Sequence, residues 1–156
     1  MNSYIFFTIL LAIAAYLSIC ISISDFRHRI IPDIYLFPLM LIGLILTGYY
    51  SYPIDIYTGI IGGTFGYLVS LVMGIIFTQI HRRSTTDTPA PIGMGDIKLI
   101  GVGGMWLGVF GLSLALIIAC IFGTIWARIQ GQRYVPFAPF FLFGGFLSLI
   151  GMLFLI

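Results

Sequence analysis

The apolar runs in this chain are about as long as a lipid bilayer is thick, and only short polar breaks separate them. A membrane helix needs about 20 apolar residues, within a range of about 17 to 25. Residues 4–23, 32–50 and 56–80 meet that length, and a last apolar run follows Pro136 and Pro139 and reaches Ile156. Of the 156 residues, 60% are hydrophobic and 8% are charged, whereas a soluble domain carries about 25% charged residues. The chain therefore reads as an all-α polytopic membrane protein, a single membrane-embedded domain over residues 1–156 with no separate soluble domain. Residues 4–23 also have the length of a signal peptide, but Met1-Asn2-Ser3 carries no Lys or Arg, so this segment is read as a retained first helix.

The stretch 96–127 is almost wholly apolar and too long for one crossing. As one helix it would extend about 45 Å at 1.5 Å per residue, against a hydrocarbon core of about 30 Å. Gly108 and Gly111 offer a turn near its middle. Charge decides between the two readings. The seven cations fall in three places: Arg27 and Arg29; Arg82, Arg83 and Lys98; Arg128 and Arg133. With six helices all three places share one side, and an excess of Lys and Arg marks the cytoplasmic side. The expectation is six transmembrane helices with the N and C termini on the extracytoplasmic side. A short fourth helix would hold Asp96 somewhat below the membrane surface.

The net charge of +2, with no basic stripe, argues against a nucleic-acid partner. Cys20 and Cys120 lie inside apolar segments and read as small buried hydrophobes. Gly59 and Gly63, Gly62 and Gly66, and Gly104 and Gly108 are spaced for close helix packing in lipid.

Five residues are acidic, all of them aspartates. Asp25 lies where the first apolar run ends and Asp96 where the long one begins, positions at which a charge is costly and a function is the default reading. Two carboxylates brought together share a proton and titrate as a unit. The ionised member can take a proton from water and the protonated one can donate to a carbonyl under attack, which is general acid–base hydrolysis of an amide without a covalent intermediate. Gly93 and Gly95 would leave an uncrowded approach to Asp96, which is placed to N-cap the next helix. Each aspartate alone has a structural reading: Asp96 as that cap, Asp25 as an interfacial partner of Arg27 and Arg29. Pro32 suits the start of the second helix and Asp33 its first turn. Asp55 and Asp87 read as solvated. His28 and His81 sit among arginines, and two aspartates without a third strong ligand make a poor metal site.

Three segments resemble the type IV prepilin peptidases, also called prepilin leader peptidases, which are polytopic aspartic proteases related to archaeal preflagellin peptidases. Asp25-Phe26-Arg27-His28-Arg29-Ile30-Ile31-Pro32-Asp33 resembles that family's aspartate, short polar stretch and Ile/Leu-Pro-Asn/Asp. Gly93-Met94-Gly95-Asp96-Ile97-Lys98-Leu99 resembles its Gly-x-Gly-Asp-x-Lys-Leu signature. Pro136-Phe137-Ala138-Pro139-Phe140 resembles a Pro-Phe-Gly-Pro-Phe element, with Ala138 in place of the glycine.

The resemblance implies that Asp25 and Asp96 are the catalytic pair and that no metal or cofactor is needed. It implies prepilin or pseudopilin substrates, cut after a short basic leader ending in glycine, in the bacterial cytoplasmic (inner) membrane with the site facing the cytoplasm. Helix 1 leads directly to Asp25, so the likeness is to the short, peptidase-only form, which speaks against N-methyltransferase activity. The loop over residues 81–95 is the candidate for leader contact, through Asp87, Asp33 or its backbone. Lys98 would orient the site, meet a substrate carboxylate or extend to lipid headgroups. Two other readings stay in view. A presenilin-like intramembrane protease shares Gly-x-Gly-Asp, but carries its first aspartate in a Tyr-Asp context that Ser24-Asp25 does not match. A small transporter or assembly protein could carry protons on an aspartate pair, and a transporter would show broken helices or inverted repeats.

Overall fold

The computed structural model describes residues 2–84, 92–131 and 135–155. These form helices throughout: α1 (Asn2–His28), α2 (Asp33–Tyr49), α3 (Ile56–Ser84), α4 (Met94–Gln130) and α5 (Phe137–Leu155). Three are long and apolar enough to cross a membrane, within Ser3–His28, Ile56–Ile80 and Met94–Gln130, and Asp33–Tyr49 and Phe137–Met152 are shorter apolar helices. Large apolar side chains such as Ile9, Phe37, Leu68, Ile76, Phe122 and Phe146 are exposed along every helix. Such surfaces are stable against lipid, not water, and the chain is a helical membrane protein.

Helix ends differ from those that hydropathy gives. α1 does not stop with its apolar run but continues through Ser24, Asp25, Phe26 and Arg27 to His28, so Asp25 lies on a helix and not in a loop. Arg27 and His28 fall in its last turn, where cations oppose the negative end of the helix dipole. Arg29 then turns the chain with a left-handed φ of 56°. Pro32 is the N-cap of α2, one residue ahead of the helix itself.

Where the sequence reading divides residues 96–127 into two helices, the structure has five helical elements among the described residues, the fourth interrupted at Gly108. Gly108 has φ 66° and ψ −177°, a region essentially closed to residues with a Cβ. The interruption reverses the chain. Trp126 meets Phe26 edge-on with ring centroids 5.9 Å apart, and Asp96 lies within electrostatic reach of Asp25, one residue from Phe26. A straight helix would separate residues 96 and 126 by about 45 Å. Both halves pack against α5, with Phe141 beside Gly103 on one side and Phe140 beside Gly123 on the other.

The core follows from spacing. On α1 the buried residues are Leu10, Ala14, Leu17 and Ile21, a stripe at three- and four-residue intervals. The next position on that stripe is Asp25. From α2 the stripe contributes Leu36, Leu39, Ile42 and Leu46, and from α4 Leu99, Leu107, Leu112 and Ala115. Buried hydroxyls are answered locally: Thr47 donates to the Gly43 carbonyl at 2.8 Å and Ser70 to that of Gly66 at 2.7 Å. Ser148 reaches across from α5 to the Gly111 carbonyl at 3.0 Å. Among the described residues no buried side-chain donor or acceptor lacks a partner, as hydrocarbon demands.

The small-residue pairs join α3 to the first half of α4. A Cβ on Gly62 would collide with the Gly104 carbonyl oxygen and would lie 2.6 Å from Gly108 Cα. By contrast, nothing lies within 4 Å of a Cβ on Gly151. Gly62→Val should lower thermal stability in detergent by about 1–3 kcal/mol through overpacking, whereas Gly151→Val should leave the melting temperature nearly unchanged.

Candidate active site

Asp25 is 5% exposed in a chain that buries few polar side chains. Its position continues the α1 stripe one turn beyond Ile21, which is fully buried. The carboxylate is turned toward the start of α5, where the Ala138 amide donates to Oδ2 at 2.7 Å. The Phe137 amide and the Arg29 charge also act on it. The first turn of any helix has amides without intrahelical partners. Here Pro136 and Pro139 carry no amide hydrogen, which leaves Phe137 and Ala138 as donors. Ala138 is itself fully buried. The sequence shows this motif but no role for it. The missed signal is a helix start whose prolines limit which amides face inward.

Asp96 is half-buried in the first turn of α4. It is not the N-cap expected from sequence. Gly93 takes that position, and Asp96 is the third helical residue. Its carboxylate reaches back to accept the Gly93 amide at 3.3 Å, while the Asp96 amide donates to the Gly93 carbonyl at 3.1 Å. This is the return half of a capping box. Gly93 is exposed beside the carboxylate, and Gly95 packs inward: a Cβ on Gly95 would come 3.0 Å from Cβ of Ile31. Gly95 thus serves the close approach of α4 to the segment ahead of α2. The Asp25 charge reaches Asp96 electrostatically, although the two come from opposite ends of separate helices.

Lys98 does not reach away toward headgroups. Its ammonium binds both oxygens of Asp33, at 2.9 and 2.7 Å, and so joins the second turn of α4 to the first residue of α2. Asp55 lies elsewhere and is more than solvated. It accepts the Thr58 hydroxyl at 2.5 Å and the Tyr57 and Thr58 amides at the start of α3, and the Thr58 bonds hold its carboxyl below the usual range. Residues 85–91 of the loop read as contacting a leader, Asp87 among them, lie outside the described residues, as does Arg133. Among the described residues no three His, Cys, Asp or Glu side chains gather at one point.

The site is therefore a buried carboxylate held by backbone amides, with a second, half-buried carboxylate near it, at one end of a helical membrane bundle. That combination defines a class, the helical membrane proteins with two aspartates at one end of the bundle. Residues 5–128 match the type IV leader peptidase family, and the chain belongs to that family, which is a family of peptidases. Neither the curated proteins nor the solved structures give a match.

The bond from Ala138 separates two substitutions at Asp25. Asp25→Asn keeps an acceptor for the amide and should unfold within about 1 kcal/mol of the wild type. Asp25→Ala leaves a buried amide unpaired and should cost about 1–3 kcal/mol. Thermal unfolding in detergent measures both.

Proposed function

We propose that this protein is a membrane aspartic endopeptidase that removes the short basic leader from type IV prepilins or pilin-like proteins, with Asp25 and Asp96 as its catalytic pair. The observation that carries the reading is the buried Asp25 carboxylate, held at 2.7 Å by the Ala138 amide and within electrostatic reach of Asp96. A chain with so few charges buries one only for a reason. The family match supplies the peptidase class and, in general, prepilin-type substrates.

In the proposed reaction the pair holds one proton between its two carboxyl groups. The ionised carboxylate takes a proton from water as the oxygen attacks the scissile carbonyl carbon, and the protonated one donates to the carbonyl oxygen. Collapse of the tetrahedral intermediate breaks the C–N bond, and a proton from the pair passes to the leaving amine. The pair works as a unit, so the two roles are not divided between the residues. The first-turn amides of α5 keep Asp25 in place, and the half-buried position of Asp96 leaves the pair open to water.

The same reading sets the site at the cytoplasmic face. Arg27, Arg29, Lys98 and Arg128 all lie at the aspartate end of the bundle, which is the asymmetry of the positive-inside rule. On this reading the two halves of α4 are separate passes, giving six, with both termini outside. The first half, Met94 to Leu107, reaches only about 21 Å at 1.5 Å per residue, so Asp96 would sit below the surface of the bilayer.

The test is cleavage of a purified prepilin by the purified protein. Asp25→Asn and Asp96→Asn should each reduce the rate by about 10²- to 10⁴-fold; cutting at the wild-type rate by either variant would refute the pair. An alkaline phosphatase fusion in the 51–55 loop should be active, and one after Arg29 inactive. The reverse pattern would refute the orientation.

A further inference from the structure

We propose that Lys98 and Asp33 form a positioning pair that sets the geometry of Asp25 against Asp96. The inference rests on the peptidase reading above and adds to it the device that aligns the two carboxylates. Each aspartate belongs to a different rigid piece. Asp25 lies in the last turn of α1, and after His28 the turn through Arg29 delivers the chain to α2 at Asp33. Ser24 Oγ donates to the Ile30 carbonyl at 2.9 Å and stiffens that corner. Asp96 begins α4 and is fixed to Gly93 within its own turn. Neither of these local bonds relates one piece to the other.

Two contacts do. The Gly95 backbone lies against Ile31, and two residues beyond Asp96 the Lys98 ammonium grips both oxygens of Asp33. The first is apolar and tolerates sliding; the second is bidentate and fixes register. Residues two apart on a helix do not face one another, so Lys98 is turned from Asp96 toward α2 and acts on the reaction through placement, not by touching the reacting atoms.

Exposure decides how this pair should show itself. Lys98 and Asp33 are 35% and 46% exposed, and ion pairs of that kind add little to overall stability. A small misplacement of catalytic groups, by contrast, costs about 10- to 100-fold in rate. The pair should therefore matter much more to turnover than to folding.

The experiment is a charge cycle in the full-length protein, assayed on prepilin cleavage alongside thermal unfolding. Lys98→Met and Asp33→Asn should each lower kcat by about 10- to 100-fold, with KM and melting temperature close to wild type. The double variant should be no slower than the slower single one, because one interaction is lost once. Lys98→Arg should retain most of the activity, and the reversed pair Asp33→Lys with Lys98→Asp should exceed either reversed single. Losses that multiply in the double variant, a loss confined to KM, or an Asp33→Asn protein of wild-type kcat would overturn the pair. A second readout does not need activity. With Cys20→Ala and Cys120→Ala as background, Asp25→Cys and Asp96→Cys are bridged by a short thiol-specific crosslinker, and Lys98→Met should slow that bridging several-fold. Unchanged bridging would overturn the pair. Wild-type protein that fails to cut prepilin while bridging still responds to Lys98→Met would refute the peptidase reading and leave the pair standing.

Discussion

A helix has a fixed rise and a bilayer has a fixed thickness, so a long apolar stretch must tilt, protrude or turn. In this protein it turns, at Gly108, and the arrangement of the aspartate end depends on that reversal. It brings the start and the end of α4 to the same end of the bundle, with Asp96 near Asp25 and Trp126 against Phe26. The backbone at the turn is shielded by α3, which approaches so closely that glycine is needed on both sides, at Gly62 and at Gly104. Irregular backbone at membrane depth is stable only when protein covers it. The small-residue seam is thus the condition under which α4 can break at all.

The second requirement is electrostatic. Asp25 occupies a position that its helix would otherwise give to a leucine or an isoleucine, and the bundle answers it with α5. The first turn of α5 brings partial positive charge and free amides. One helix end thereby solves two problems, its own unpaired donors and a buried acceptor. Asp96 is held more loosely, by a longer bond to the Gly93 amide, and is partly open to solvent. The two carboxylates are therefore unlike in surroundings while within electrostatic reach.

Much of this was legible from residues. Charge scarcity marked Asp25 and Asp96, the Gly-x-Gly-Asp-x-Lys-Leu run marked the start of α4, and Gly108 was visible as a place to turn. The errors have physical causes. Hydropathy ended the first helix at residue 23, yet a helix continues wherever hydrogen bonding and neighbours allow, so Ser24 to His28 stayed helical. Asp96 looked like a cap because it precedes an apolar run, but Gly93 could start the helix earlier and leave Asp96 to bond backwards. Lys98 had several readings because its partner lies in another segment, and no local pattern joins residue 98 to residue 33. The amides that hold Asp25 were the least visible of all, since every residue but proline has one.

Support from the main chain governs how such a site would change over time. The groups that hold Asp25 belong to the main chain, so exchange of the side chains at positions 137 and 138 leaves them in place as long as the new group fits. A scan that trims side chains one by one would report nothing of the amides at 137 and 138 that hold the buried carboxylate. Ala138→Pro would remove the 2.7 Å bond and leave the Phe137 amide and the Arg29 charge to act on the carboxylate.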